Sequence, residues 1–248
     1  MSEKEKIIRL TGLVKRFPVG NGEFTALNGI NLQIGRGEFL GLVGPSGSGK
    51  TTLLNIIGSL DTPSEGEATV LGHSISSLTA KESAALRNKN IGFIFQSYNL
   101  LPVYTVYENV EFALLLQKIS PEERYEAVMS ALEWVGLTDK AKSRPAQLSG
   151  GESQRVAIAR AMVKRPDIVL ADEPSANLDA KNSHTILQTM RRLNEELNTT
   201  FIFATHDEKV MQYLKRIIYL EDGKVEKDSV IEIFESSDPA SQSLNFES

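Results

Sequence analysis

The sequence predicts an α/β fold built around a parallel sheet, and three observations support this prediction. Segments typical of strands and of helices alternate along the chain, and a glycine-rich loop lies between one such strand and the helix after it. Two later strands, Ile168–Ala171 and Phe201–Ala204, are continuous apolar runs. Such runs are typical of strands that are covered on both faces in a parallel sheet.

Composition excludes several function classes. The net charge of −5 gives no basic surface for nucleic acid, so we expect no nucleic-acid partner. The chain has no cysteine, which excludes disulfides, thiolate catalysis and cysteine-based zinc sites. The histidines, His73, His184 and His206, are too few to favour a multi-histidine metal site.

Nothing in the hydropathy predicts a membrane segment or a signal peptide. The charged start, Met1–Lys6, has no apolar stretch behind it, and apolar runs such as Phe112–Leu116 are far below the ~20 residues that span a bilayer. We therefore expect an intracellular protein without direct membrane insertion. The pattern predicts one domain over residues 1–236, with a loose polar tail over 237–248.

The first part of the chain is predicted to be mainly β-structure. Strands are expected over residues 7–14, 26–34 and 39–43, separated by turns rich in glycine. The glycine-rich loop then leads into a helix over Lys50–Ile57, which Gly58 ends. A further strand is expected over 68–71.

The second part is predicted to be mainly helical up to the apolar strands. Residues 100–137 favour helix, with Pro121 at a helix start. A helix carrying Val156, Ala159 and Val163 is expected to end before Pro166. Between the two apolar strands, an apolar stripe at helical spacing predicts another helix; its members are Ile186, Leu187, Met190, Leu193 and Leu197.

The glycine-rich loop, Gly44–Thr51, matches the pattern G-x-x-x-x-G-K-[ST] in full. Its glycines let backbone N–H groups point at phosphate oxygens, and the following helix N-terminus adds a favourable dipole. Lys50 supplies a positive charge to the β- and γ-phosphates, and the Thr51 hydroxyl is placed to bind Mg²⁺. The loop therefore predicts a nucleoside triphosphate site.

Two acidic residues, Asp172 and Glu173, directly follow the first apolar strand. The strand delivers them to the carboxyl edge of the sheet, where α/β folds bind ligands. Asp172 is placed to hold Mg²⁺, and Glu173 to polarise a water opposite the γ-phosphate. The alternative for an isolated pair is a solvated strand end, but the intact phosphate loop favours the catalytic interpretation.

The stretch Leu148–Glu152 adds a second anion site, because Ser149 and two glycines open a helix whose N–H groups are free. With the phosphate loop and the acidic pair, it resembles the signature motif of ABC-type ATPases. The resemblance covers about residues 7–227. It implies a P-loop cassette with a mixed or parallel RecA-like core sheet, an N-terminal antiparallel β subdomain, and a helical subdomain inserted at about 97–165.

The resemblance also implies that two copies close over two ATP molecules, each signature contacting the γ-phosphate bound by the other copy. Phe17 matches the aromatic residue that stacks on adenine. Gln96 matches a glutamine that reaches Mg²⁺. Ser175–Asp179 matches a loop through which the two copies contact each other, and His206 matches a histidine that hydrogen-bonds the γ-phosphate. The catalytic set it implies is Lys50, Gln96, Glu173 and His206, and the metal set is Thr51, Gln96 and Asp172. The implied ATP-contacting residues are Phe17, Gly44, Pro45, Ser46, Gly47, Ser48, Gly49, Lys50, Thr51, Thr52, Gln96, Ser149, Gly150, Gly151, Glu152, Asp172 and His206.

Glu152 departs from the family pattern, which mostly has glutamine after the signature glycines. A carboxylate near a γ-phosphate repels it unless the side chain faces the ribose or solvent. The other motif residues are intact, so the resemblance implies a competent ATPase.

Residues 56–66 and 90–102 resemble the group that contains lipoprotein-release (LolD-type), macrolide-export (MacB-type) and cell-division (FtsE-type) ATPases. This implies a permease partner in the membrane and a peripheral location at its cytoplasmic face. A soluble ABC ATPase of DNA maintenance is an alternative, although the zinc-bearing or coiled-coil insertions of that class are absent from the sequence. A small-molecule kinase is another alternative, but it would lack the signature.

The segment after Gln96, Ser97–Tyr104, mixes aromatic and aliphatic residues in an expected loop. The resemblance implies a groove beside it that receives a short helix of the permease. We expect charged substitutions at Tyr98 and Leu101 to disturb that contact. The alternative is that Tyr98, Leu100 and Leu101 pack inside the helical subdomain.

Overall fold

A computed structural model describes residues 5–231 of the chain. Two sheets and seven α-helices make up this part. The strands are β1 (Lys6–Val19), β2 (Gly22–Gly35), β3 (Phe39–Val43), β4 (Glu65–Val70), β5 (His73–Ser74), β6 (Ile91–Phe95), β7 (Ile168–Asp172), β8 (Thr200–Thr205), β9 (Arg216–Glu221) and β10 (Lys224–Val230). The helices are α1 (Lys50–Ile57), α2 (Ala80–Asn90), α3 (Val106–Glu111), α4 (Pro121–Trp134), α5 (Gly150–Met162), α6 (Ala180–Leu197) and α7 (Glu208–Met211).

The larger sheet has six strands in the order β10-β9-β3-β8-β7-β6. Neighbours from β9 to β6 pair in parallel, while β10 pairs antiparallel with β9 at one edge. The smaller sheet, in the order β2-β1-β4-β5, is antiparallel. The α/β fold with a mixed core sheet and an N-terminal antiparallel sheet is therefore confirmed.

Side chains of the central strands alternate between two cores, one on each face of the six-stranded sheet. In β8, Phe201 and Phe203 join the core formed with α3 to α7, whereas Ile202 and Ala204 join the core formed with α1 and the small sheet. All four side chains are fully buried. Burial on both faces explains why the strand is an unbroken apolar run rather than an alternating one.

Several element boundaries differ from those expected from sequence. β1 continues as far as Val19, and β2 already begins at Gly22, because the two strands pair as one long hairpin. The added residues are mostly polar and therefore carry little hydrophobic signal. The region 100–137 holds α3, a 3₁₀ turn and α4 with irregular chain between them. α4 begins as expected, with Ser120 as N-cap and Pro121 in its first turn.

The helix expected up to Pro166 ends at Met162, so Val163 lies at its C-cap. Arg165, directly before the proline, has a φ of 49°. Because proline disfavours helical geometry in the residue that precedes it, the chain leaves the helix earlier than the apolar spacing indicated.

No helix within residues 5–231 is both long enough and apolar enough to cross a membrane. The expected tail over 237–248 lies outside the described residues. The division into a 1–236 domain with a helical subdomain at 97–165 stays a prediction.

Candidate functional site

The phosphate loop connects β3 to α1 and is shaped by glycines that no other residue could replace. A Cβ atom on Gly44 would lie 2.0 Å from the Leu220 carbonyl oxygen, and one on Gly49 would lie 2.5 Å from the Ala26 carbonyl oxygen. Both glycines also have positive φ, at 154° and 98°. The loop is therefore pressed against backbone on two sides, which only residues without a Cβ allow.

Lys50 is folded into this loop. Its Nζ donates to the carbonyl oxygens of Gly44 at 2.7 Å and Pro45 at 2.8 Å, and to Ser48 Oγ at 3.3 Å. Burial lowers the pKa of Lys50, while Glu173 and Asp172 act in the opposite direction. The ammonium group thus lies in the concave loop with acceptors that phosphate oxygens could replace.

Thr51 and Asp172 are brought together from different parts of the chain. Thr51 lies in the first turn of α1 and Asp172 ends β7, and the Thr51 hydroxyl donates to Asp172 Oδ2 at 3.1 Å. Burial raises the pKa of Asp172, and the neighbouring Glu173 charge raises it further. Two hard oxygen donors side by side, one of them a carboxylate, suit Mg²⁺.

Glu173 makes a contact with His206 that the sequence did not indicate. Glu173 Oε1 lies 2.6 Å from His206 Nδ1, and Glu173 Oε2 accepts from Thr205 Oγ1 at 3.3 Å. The Glu173 backbone has a φ of 46°, which is uncommon for a residue with a side chain. Both expected catalytic groups therefore lie at the same edge of the sheet, already in contact with each other.

Gln96 directly follows β6, the strand that pairs with β7. Because Phe95 is opposite Asp172 in that pair, Gln96 lies at the level of Glu173. The carbonyl oxygen of Gln96 accepts from Asn177 Nδ2 at 3.1 Å, which joins it to the loop Ser175–Asp179. Gln96 is exposed at this edge of the sheet.

The signature residues form a capping box at the start of α5. Ser149 is the N-cap and its Oγ accepts from the Glu152 N–H at 3.3 Å, while Glu152 Oε2 accepts from the Ser149 N–H at 2.8 Å. The hydrogen bond from the Ser149 backbone lowers the pKa of Glu152. Glu152 therefore turns back towards its own helix and towards Lys140, whose Nζ lies 3.7 Å away.

The signature is separate from the phosphate loop of the same chain. Within residues 5–231, no hydrogen bond joins residues 149–152 to residues 44–51, whereas Thr51, Asp172, Glu173 and His206 are linked at the sheet edge. The expectation of a second anion site at the signature therefore fits a two-copy arrangement, because that site would have to serve a phosphate bound by another chain.

Phe17 lies on β1 directly opposite Phe24 of β2, and its side chain is partly exposed. The Lys15 ammonium lies 5.0 Å from the centre of the Phe17 ring and also pairs with Asp61. A cation therefore lies over the Phe17 ring, and the exposed part of the ring is available for stacking with a nucleotide base.

Tyr98 differs from the expected exposed surface residue. It is half-buried, and its hydroxyl lies 3.1 Å from where a Cβ atom on Gly150 would be. Arg160 of α5 donates to the carbonyl oxygens of Tyr98 and Asn99, both at 2.6 Å, and both of those residues have positive φ. Sequence reasoning missed this clamp, since nothing local marks Arg160 as its donor.

Beside this clamp is a groove lined by the aromatic residues Phe93, Phe95 and Phe112 and by the cations Arg160 and Lys164. Phe112 is half exposed. Burial lowers the pKa of Lys164 to about 8. Leu101 is outside the lining, and its N–H and carbonyl are both bonded to the buried Asn109 side chain.

The remaining histidines lie away from the site. His73 is exposed on β5. His184 on α6 is half-buried and hydrogen-bonded to the hydroxyl of Tyr213, which lies in the turn after α7.

Comparison with known proteins gives a family match over residues 27–176, to the family described as ABC transporter. The chain is 44% identical to the lipoprotein-releasing system ATP-binding protein LolD of Bacteroides thetaiotaomicron over 222 residues, covering 90% of this chain and 100% of that protein. It is 42% identical to the macrolide export ATP-binding/permease protein MacB of Burkholderia thailandensis over 96% of this chain but 36% of that protein.

Among solved structures, the chain is similar to the dimeric post-hydrolysis state of the ATP-binding cassette MJ0796 bound to ADP and phosphate. The TM-score is 0.84 at 42% identity, covering 92% of this chain and 100% of that one. The corresponding protein of Methanocaldococcus jannaschii is described as an uncharacterized ABC transporter ATP-binding protein. A second dimeric structure of it matches equally well, with a TM-score of 0.84.

Proposed function

The chain belongs to the ABC transporter family, and on that premise we propose that it is the ATP-hydrolysing subunit of a transporter of the lipoprotein-release or macrolide-export type. Two copies close over two ATP molecules and act on a permease, which holds them at the cytoplasmic face of the membrane. The names of the LolD and MacB relatives and the dimeric MJ0796 structures support this proposal. The soluble DNA-maintenance and small-molecule kinase alternatives receive no support from these relatives.

One observation carries the catalytic part of the proposal: the Thr51–Asp172 pair and the Glu173–His206 pair meet at the edge of the sheet where the phosphate loop opens. The loop N–H groups and Lys50 bind the phosphates of ATP, and the exposed face of Phe17 stacks on adenine. Thr52, next along α1, contacts the same phosphates. These groups fix the γ-phosphate beside Glu173.

Mg²⁺ fits the oxygen donors present. Thr51 Oγ1 and Asp172 Oδ2 would hold it, with the exposed Gln96 amide beside them. No cluster of three or more acidic, histidine or cysteine side chains that could hold a metal occurs in the described residues, so the phosphates of ATP and water would complete the ligand set. When bound, the ion neutralises charge on the β- and γ-phosphates.

Hydrolysis follows from the position of Glu173. Its carboxylate orients a water and accepts its proton as the oxygen bonds to the γ-phosphorus and the bond to the β–γ bridging oxygen breaks. His206 contacts Glu173 through Nδ1 in the structure, and we propose that it turns to donate a ring N–H to the γ-phosphate when ATP is bound. Gly150 and Gly151 of the second copy supply N–H groups to the same phosphate and Ser149 supplies its hydroxyl, with Glu152 holding the cap that presents them.

The test is ATP turnover by the purified chain. Glu173→Gln keeps the shape of the side chain but removes the proton acceptor, so we expect a 10²–10⁴-fold loss of turnover with ATP binding retained and an ATP-bound dimer accumulating. Lys50→Ala is expected to lose ATP binding itself. Glu208→Gln is the matched control, because this exposed carboxylate lines the same cleft as Glu173. Phosphate release by Glu173→Gln at the wild-type rate would refute the assignment.

A further inference from the structure

A buried polar side chain on the signature helix has no part in the mechanism described so far. Gln154 lies on α5 one turn after Gly150 and is fully buried. Its Nε2 donates to the Pro174 carbonyl oxygen at 2.7 Å. Because a carbonyl can only accept a hydrogen bond, this contact fixes the orientation of the amide.

The oxygen of the Gln154 amide indicates that the Nε2 donor is the reason for a glutamine at this position. Among the described residues, Gln154 Oε1 has no hydrogen-bond donor. A buried acceptor without a partner is unfavourable, so an apolar side chain of the same length would serve packing alone at least as well. The Nε2 contact with Pro174 is the interaction that a glutamine provides here.

Pro174 is the residue directly after Glu173. Glu173 itself is held by β8 and by His206, which follows that strand. Its N–H donates to the Ala204 carbonyl oxygen, and its carboxylate contacts the side chains of Thr205 and His206. On its following side, a tight turn closes with the Ala176 N–H to the Glu173 carbonyl at 3.3 Å. The Gln154 bond attaches that turn to α5.

The backbone of Glu173 requires such support. A non-glycine residue with a φ of 46° lies in a sparsely populated conformation, which persists only where the surrounding structure holds it. If the turn after Glu173 were released, the carboxylate could move while its β8 contacts remained. A small displacement of a group that orients an attacking water strongly lowers the rate.

We propose that Gln154 is a positioning residue for ATP hydrolysis: by holding Pro174, it sets the direction in which the Glu173 carboxylate faces. This rests on the proposed function. Ser149 caps the same helix and, under the proposed function, contacts the ATP bound by the second copy. Gln154 therefore also links the two ATP sites, because it connects this helix to the carboxylate that acts on the chain's own ATP.

The experiment replaces the amide without shortening the side chain. For Gln154→Met we expect kcat to fall about tenfold, with the KM for ATP within about twofold of the wild type, because binding groups are untouched. Ile158→Val is the matched control, since Ile158 is also fully buried, lies one turn further along α5, and does not contact Pro174. Thermal unfolding confirms that both variants fold.

If Gln154→Met does not fold, Gln154→Leu takes its place, because it is apolar, of similar volume and likewise has no donor for the Pro174 carbonyl. The same fall in kcat is expected. A kcat equal to that of Ile158→Val, or a KM that rises in parallel, would overturn the proposal, since it would show that Gln154 only supports the fold.

A second measurement separates positioning from support of the signature. In the Glu173→Gln background, adding Gln154→Met should neither lower the residual turnover further nor reduce the ATP-bound dimer, because its effect passes through Glu173. Loss of that dimer would overturn the proposal. Failure of the proposed function would be distinct: it would appear as wild-type turnover in Glu173→Gln alone.

Discussion

At the residue scale, Glu152 shows how one side chain can differ from the family pattern while keeping its task. Its carboxylate accepts the Ser149 N–H and lies near Lys140, so it faces the protein's own helix start. A glutamine there could accept the same N–H through its amide oxygen. Because the pKa of Glu152 is lowered, the stabilising effect of its charge is complete above the ordinary pKa and is lost as the pH falls through the lowered value.

Glu152→Gln should therefore change little. We expect the free energy of unfolding to change by less than about 0.5 kcal/mol, whereas Glu152→Ala loses about 1 kcal/mol with the capping box. The ATP concentration that gives half-maximal dimer should stay within about twofold of the wild type. Denaturant titration and size-exclusion chromatography measure the two quantities. A tenfold tighter dimer in Glu152→Gln would mean that the carboxylate faces the γ-phosphate after all.

At the scale of elements, Arg216 joins strands that are distant in sequence. From the start of β9 it pairs with Glu38 before β3 at 2.7 Å and with Asp228 of β10 at 2.6 Å, and it donates to the Gln33 carbonyl of β2. These hydrogen bonds raise the pKa of Arg216 above its ordinary value, Asp228 contributing most. The side chain is largely buried, so removing it leaves Glu38 with an unpaired charge.

Arg216→Met should destabilise the fold by about 2 kcal/mol, which lowers the melting temperature by about 4–8 °C in a chain of this size. Differential scanning calorimetry is the measurement. Arg191→Met is the control, because the Arg191–Glu195 pair is an exposed helix pair that contributes about 0.5 kcal/mol or less. Equal losses in the two variants would show that the Arg216 contacts do not secure the β9–β10 hairpin.

At the scale of the whole molecule, the signature (149–152) and the phosphate loop (44–51) share no hydrogen bond within the described residues, and we therefore predict activity in trans. Ser149→Arg should keep ATP binding but lose dimerisation and turnover, because the substitution blocks the surface that faces the second copy. Mixing it with Lys50→Ala assembles heterodimers that have one intact site and one doubly damaged site. A one-to-one mixture should recover up to about a quarter of wild-type turnover. No recovery, or activity at dilutions without dimer, contradicts this arrangement.

The permease contact is the second prediction at this scale, and we now assign it to the groove that Phe112 lines rather than to Tyr98 and Leu101. Tyr98 lies against the signature glycine, so a charge there would disturb the ATP site itself, and Leu101 is outside the groove. We therefore predict that Phe112→Glu reduces co-purification with the permease at least tenfold, because Phe112 is half exposed in the groove. ATP turnover of the free subunit should not change.

Tyr125→Glu is the matched control for the groove. Tyr125 is another exposed aromatic residue of the helical region, but it does not line the groove. Unchanged permease binding by Phe112→Glu would place the contact elsewhere, and an equal loss in both variants would indicate a general effect of added charge.

The sequence by itself determined the elements and motifs that depend on local order. Helix α1 was predicted with its observed bounds, Lys50–Ile57, because a glycine-rich loop starts it and Gly58 ends it. The apolar strands before Asp172 and His206 were predicted within about one residue, since burial on both faces leaves an unbroken apolar run. The phosphate loop is one contiguous segment, and the two acidic residues are adjacent in the chain, so the chemistry of each motif could be derived from spacing alone.

Only the tertiary structure decided how those motifs meet. The Glu173–His206 contact, the Gln154 bond to Pro174 and the Arg160 clamp on Tyr98 and Asn99 each join residues far apart in the chain. The β9–β10 hairpin was not predicted either, because its polar residues carry little periodicity and it is held partly by Arg216. Such contacts depend on which strands become neighbours in the sheet, and that order follows from packing the whole chain around its two cores rather than from any local pattern.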